Sequence, residues 1–170
     1  MPPEGAPRRD HAKETHVPDD RFELRRAGPD RIEDAVAFVD AFHEIEGLAP
    51  VDKGRRDAIA LLLAHPEYGS FLFIEVDDLD VGYIAVGYGF SIEFCGRDAF
   101  LDEFYVEAAH RGRGLGRAAL KRLKSMLPDE GIKALHLEVG VENPRAAGLY
   151  EDEGFIAHQG YSFMSIRFTG

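Results

Sequence analysis

Two adjacent stretches hold the residues whose types and spacing could do chemistry. The first is Arg111-Gly112-Arg113-Gly114-Leu115-Gly116, at the start of a basic helical pattern. Glycines let the backbone take positive φ and approach a ligand closely, and the first turn of a helix presents N–H groups with no intrahelical partner. Together with the helix dipole and the guanidinium groups of Arg111 and Arg113, such a turn suits a phosphate or pyrophosphate. A tight strand-to-helix connection, with glycines serving only packing, would use the same letters. The second stretch lies just upstream, where Asp102 and Glu103 interrupt an apolar strand pattern. Either carboxylate could accept a proton or hold a cation, and because strand neighbours face opposite sides, only one is expected to point into a site.

Two anion-binding arrangements can be weighed against these letters. A Walker A loop is excluded because no Gly-Lys-Ser/Thr follows the glycines. A dinucleotide fingerprint fares better, since Gly114-Leu115-Gly116-Arg117-Ala118-Ala119 fits a lenient G-x-G-x-x-A and Glu138 falls where a ribose-binding acid would. Its context is wrong: five residues, Glu107 to Arg111, separate the strand from the turn, and Asp102 and Glu103 suit a sheet face opening onto a site better than a buried parallel strand.

Charge sharpens the first stretch. The 170-residue chain carries a formal net charge of −11, which argues against generic nucleic-acid binding. Yet between Ala108 and Pro128 no acid interrupts Arg111, Arg113, Arg117, Lys121, Arg122 and Lys124. An anionic ligand explains that local reversal, as does a solvated helix face. At 45% hydrophobic and 30% charged residues, the composition fits one soluble domain over residues 21–170 behind a Pro- and charge-rich tail over residues 1–20. No apolar run is long enough to span a membrane and no secretory h-region stands at the N-terminus, so no membrane partner and a cytoplasmic location are expected. The single cysteine, Cys95, rules out an internal disulfide framework and is expected to be a small buried hydrophobe.

The elements that must position these stretches follow from periodicity. A first strand runs over Arg21 to Ala27; a helix then carries Ile32, Val36, Val39 and Phe42 up to Gly47, and a second carries Ile59, Leu62 and Leu63 up to Pro66. Phe71 to Val76 and Val81 to Phe94, joined at Asp77-Asp78, predict a hairpin, and Phe100 to Val106 a further strand. After the glycine turn, a helix with Leu115, Ala119, Leu123 and Met126 on one face leads to a strand over Lys133 to Val139 and a short helix through Tyr150. That strand–helix–strand order makes the strands ending at Val106 and Val139 parallel. Phe155 and Ser162 to Phe168 are expected to add one or two closing strands.

Leu101-Asp102-Glu103-Phe104-Tyr105-Val106, then Arg111-x-x-Gly114-x-Gly116, resembles the acetyl-CoA signature of the GNAT superfamily of N-acetyltransferases. Leu135 to Val139 followed by Asn143, Ala146, Tyr150, Gly154 and Phe155 is similar to its second signature, Asn-x-x-Ala-x-x-x-Tyr-x-x-x-Gly-Phe. The resemblance covers roughly Arg21 to Phe168; Ala108-Ala109 stands where the family often has Pro. It implies an α/β fold with a mixed, mostly antiparallel central sheet of six to seven strands, a parallel, splayed central pair and about four helices. It implies acetyl-CoA as co-substrate, with backbone around Phe104, Tyr105 and Val106 meeting pantetheine and Arg111, Gly112, Arg113, Gly114, Leu115, Gly116 and Arg117 around the pyrophosphate. Asn143 matches a further contact on the coenzyme arm, a role compatible with capping the helix that enters at Pro144. Tyr150 matches the frequent general acid, and Glu138 a base position used by some members.

On that resemblance the expected reaction is direct transfer of acetyl to a primary amine of a small molecule or peptide through a tetrahedral intermediate. An alkyl ammonium, with an unperturbed pKa of about 10.4, must first lose a proton to Asp102, Glu103, Glu138 or ordered water. The seven histidines form no cluster at ligand spacing with one another or with Cys95, so no metal is expected. Setting the six bases aside leaves the rest of the chain at about −17, so the acceptor is expected to be cationic. Phe42, His43, Glu44, Glu46 and Tyr88 are candidate lining. A homodimer is in keeping with the resemblance. A non-catalytic acyl-CoA sensor and a nicotinamide oxidoreductase are the competing functions.

Overall fold

Unbroken burial from Gly69 to Glu75, along the strand Gly69–Val76, identifies the strand around which the larger part of the molecule is built. The structure is a computed structural model, and it describes residues 21–158, 160 and 162–168; the tail expected over residues 1–20 lies outside them. Packing divides the chain into a larger unit ending at Glu138 and a smaller one beginning at Val139. The larger unit contains β1 (Phe22–Arg26), α1 (Ile32–Glu46), α2 (Lys53–Ala64), β2 (Gly69–Val76), β3 (Leu79–Ser91), β4 (Gly96–Val106), α3 (Leu115–Met126) and β5 (Ile132–Leu137). The smaller unit contains α4 (Pro144–Asp152).

One sheet runs β1-β2-β3-β4-β5. Every neighbouring pair is antiparallel except β4 and β5, which are parallel. Alternation along β2 and β3 sends Phe71, Phe73, Tyr83 and Ala85 into a core with Ala35 and Val39 of α1 and Ile59 and Leu63 of α2. Leu72, Ile74, Ile84 and Val86, on the other face of the same strands, are equally buried. The amphipathic α3, which contacts β1, buries Leu115, Ala119, Leu120 and Leu123. A two-residue turn at Asp77 and Asp78, both at positive φ, closes the β2–β3 hairpin, matching the right-handed twist of its strands. Gly47, at φ 66°, ends α1 in the left-handed conformation that stops a helix.

The expectation of six to seven strands is corrected to five among the described residues. Ser165 to Phe168 alternates polar and apolar residues, but the segment from Ser162 joins no ladder, and Phe163, Ile166 and Phe168 are 71%, 77% and 84% exposed. Phe155 lies in no strand either. A period-two pattern suits a half-buried strand but cannot supply the partner edge. Among the described residues no strand pairs beyond β5, so the parallel pair stands at one margin of this sheet instead of its centre. Boundaries shift too: β3 ends at Ser91, a four-residue turn follows, and β4 begins at Gly96, before the expected Phe100. Cys95 sits in that turn at φ 58° and is exposed, not buried. No helix among the described residues is long and apolar enough to cross a membrane.

Candidate active site

The parallel ladder ends early. It pairs Leu101 with Leu137 and stops, whereas β4 continues through Val106 on its other neighbour, β3. Among the described residues, therefore, no strand lies on the β5-facing edge of Asp102 to Val106. Close approach of β3 from the opposite side holds this stretch in place. A Cβ on Gly82 would lie 2.2 Å from the Tyr105 carbonyl oxygen, so only glycine fits there.

Asp102 sits on an irregularity. Ala85 pairs with Glu103 and Val86 with Leu101, so Asp102 is the extra residue of a β-bulge. The strict alternation assumed from sequence fails here. Leu101 follows the face of Val86, while Glu103 follows Ala85 toward α1. Glu103 Oε1 lies 2.7 Å from His43 Nε2, and its Oε2 accepts a 2.6 Å bond from the Tyr83 hydroxyl. His43 is buried on the α1 stripe, with Nδ1 3.3 Å from the Ala49 carbonyl oxygen. Burial first, and then the Glu103 charge, push the Tyr83 phenol far above its ordinary range, so it remains a donor. Asp102 has no hydrogen-bond or ion-pair partner among the described residues. Water reaches it, yet surrounding protein desolvates its carboxyl and raises it above the usual carboxylate range; Glu103 raises it further and His43 opposes the shift.

The glycine turn adopts the backbone its letters imply. Gly112 and Gly114 have φ of 75° and 79°, and Gly114 leads into α3 with no side chain capping the helix. The first-turn amides of Leu115, Gly116 and Arg117 thus open a helix whose residues Leu115 to Met126 hold no acid. Arg111 Nε donates 2.6 Å to the Val106 carbonyl oxygen, and its guanidinium lies 5.5 Å from the centre of the Tyr105 ring. One side chain therefore links the turn to the exposed edge of β4. Arg113 lies in the glycine turn and Arg117 in the first turn of α3.

Glu138 lies one residue past the end of β5, exposed, and not on the strand as expected. In the smaller unit, Asn143 Oδ1 accepts from the Ala146 amide at 3.1 Å and caps α4, with Pro144 in its first turn. Tyr150 is half-buried on α4, packs edge-on against Phe155 with ring centres 5.6 Å apart, and has its phenol raised by desolvation. Among the described residues no three His, Cys, Asp or Glu side chains are grouped to hold a metal.

Sequence reasoning placed His43 only among candidate lining and missed Tyr83 altogether. One signal was available: Ala35, Val39 and His43 recur every four residues, which puts a titratable ring on an apolar helix stripe. Tyr88 belongs elsewhere, bonded to Ser70 and Glu130 and covered by Arg97. Glu44 and Glu46 are exposed at the end of α1.

A parted parallel pair, a paired and an unpaired carboxyl beside it, and an uncapped basic helix start define an α/β protein suited to an elongated anionic ligand and a proton transfer. The chain belongs to the Acetyltransferase (GNAT) family, which matches residues 36–155. Thialysine N-epsilon-acetyltransferase of Bos taurus is 36% identical over 77 residues, 43% of this chain and 45% of that protein. Mycothiol acetyltransferase of Beutenbergia cavernae is 43% identical over 61 residues, 34% of this chain and 20% of that one. The chain thus spans less than half the length of either relative. A solved integron cassette protein from the mobile metagenome of Cole Harbour Salt Marsh shares the fold with a TM-score of 0.74 at 30% identity, over 86% of this chain and 91% of that one.

Proposed function

We infer that the protein is an acetyl-CoA-dependent N-acetyltransferase that passes the acetyl group directly to a primary amine. The observation that carries this reading is the end of the β4–β5 ladder at Leu101 and Leu137, immediately upstream of the glycine turn. In this reading backbone groups of Phe104, Tyr105 and Val106 along β4 bond an amide-bearing arm. Amides from Gly112 to Gly116, with Arg111, Arg113 and Arg117, are suited to its pyrophosphate. Asn143 caps α4 and in this reading adds a contact to the arm.

The bound thioester supplies an activated acyl group; the rest of the chemistry falls to the chain. A β4 carboxylate receives the proton of the acceptor ammonium, Glu138 being the third candidate, and a backbone N–H in the strand break meets the developing oxyanion. Tyr150 returns a proton to the departing sulfur. Arg111 turns from the Val106 carbonyl to the pyrophosphate, freeing that carbonyl for the arm. The acceptor is a cationic small molecule or peptide: Asp102 is an acid with no cation of its own, and the bovine relative is named for an ε-amine.

Free-thiol release from acetyl-CoA, measured across thialysine, polyamines, aminoglycosides, amino acids and lysine or N-terminal peptides, tests this reading. Turnover with one class, weakened in Tyr150→Phe, is the expected result. Absence of acetyl-CoA binding would overturn it.

A further inference from the structure

Proton counting at Glu103 separates the two β4 acids. The Ala49 carbonyl oxygen, 3.3 Å from His43 Nδ1, can only accept, so Nδ1 carries a hydrogen. Nε2 then faces Glu103 Oε1 at 2.7 Å, a contact in which either Nε2 or the carboxyl must hold a second hydrogen. If neither did, two lone pairs would meet in a partly buried setting. The other carboxyl oxygen already accepts from the Tyr83 hydroxyl. Whichever atom holds the shared proton, the pair is neutral overall and both Glu103 oxygens are engaged.

We propose that His43 is a positioning residue: sharing one proton with Glu103, it makes a neutral, partly buried strut behind the bulge and leaves Asp102 as the β4 acid that meets the acceptor amine. Three elements meet in the strut, His43 from α1, Tyr83 from β3 and Glu103 from β4. They tie Glu103 toward α1, and the bulge separates Asp102 from that ladder. In the transfer step an N–H bond of the acceptor ammonium breaks, its electron pair stays on nitrogen, and an O–H bond forms on Asp102. The groups that act on Asp102 are Glu103 on its own strand and His43 on α1; Tyr83 on β3 and Tyr105 on β4 share the same field. Glu103 as an anion opposes ionisation of Asp102, and a proton held by His43 offsets that opposition. This assignment rests on the acetyltransferase reading for the use of Asp102, but not for the shared proton.

The test uses the full chain. Nitrogen-15 NMR of the His43 ring at neutral pH is expected to show a hydrogen on Nδ1; a bare Nδ1 overturns the proposal. Carbon-13 titration of the Asp102 carboxyl, assigned by its loss in Asp102→Asn, is expected to respond differently in two variants. His43→Gln keeps a donor to Glu103 but has no proton to share, so Glu103 is left as a bare anion and Asp102 titrates higher. Glu103→Gln removes the carboxylate together with the shared proton, so the pair stays neutral and Asp102 titrates close to its wild-type position. No upward shift in His43→Gln, or an equal upward shift in both variants, overturns the proposal. With an acceptor in hand, Asp102→Asn is expected to lower kcat/KM by about 100-fold or more and Glu103→Gln by less than about tenfold; the reverse ranking overturns it. If no amine is acetylated, the two NMR readings still decide the shared proton, so that failure is distinguishable from failure of the acetyltransferase reading.

Discussion

Tyr150 is half-buried, and desolvation raises its phenol above the ordinary value. A phenol raised in this way stays protonated as pH climbs; it is a weaker acid than the free thiol, near 8.5, so it serves by hydrogen bonding the developing thiolate and passing its proton as the C–S bond breaks. Tyr150→Phe is expected to lower kcat by about 10²-fold while acetyl-CoA binding persists, read by steady-state kinetics beside calorimetric titration. In the wild type, the fall in kcat assigned to Tyr150 should occur above pH of about 10 and should vanish in the Phe variant. Arg111 makes a different prediction. It spans the Val106 carbonyl and the turn, so Arg111→Ala is expected to raise KM for acetyl-CoA about tenfold with little change in kcat, the pattern of a lost binding contact.

At the scale of elements, the site depends on β3 holding β4 in register while β5 departs. Gly82→Ala drives a methyl into the Tyr105 carbonyl across that ladder, and the strands must separate to admit it. A loss of roughly 1–3 kcal/mol is expected, measured as a lower midpoint in urea, together with reduced acetyl-CoA affinity because Tyr105 and Val106 shift. Much at this scale was legible in the sequence. Ile32, Val36, Val39 and Phe42 marked α1 and Gly47 its end, and Asp77-Asp78 marked the hairpin, because a helix stripe and a left-handed turn are local properties. The closing strands were not legible, since Ser162 to Phe168 has the pattern of a strand and nothing in a pattern names its partner. The bulge at Asp102 was hidden for a related reason: it is a mismatch between two strands, and neither strand's letters declare it.

Across the whole molecule, charge is segregated along the chain, with the helical stretch after β4 basic inside a protein of net charge −11. That contrast was legible without a structure, as were the glycine turn and the β4 acids, because each is contiguous in sequence. The His43–Glu103–Tyr83 strut was not, for it joins residues up to 60 positions apart. The segregation bears on both substrates of the proposed reaction, and in the same direction. A cationic acceptor is drawn by an acidic surface and a polyanionic coenzyme by the basic turn, and salt screens both, with a Debye length of about 10 Å at 0.1 M. Raising ionic strength from about 0.02 to 0.3 M is therefore expected to lower kcat/KM for a cationic acceptor and raise KM for acetyl-CoA, while kcat at saturation of both changes little. An uncharged amine supplies the control: its kcat/KM at saturating acetyl-CoA should stay nearly flat. If the cationic acceptor proved equally flat, attraction by the acidic surface would be refuted and recognition would rest on the short-range contact with Asp102 alone.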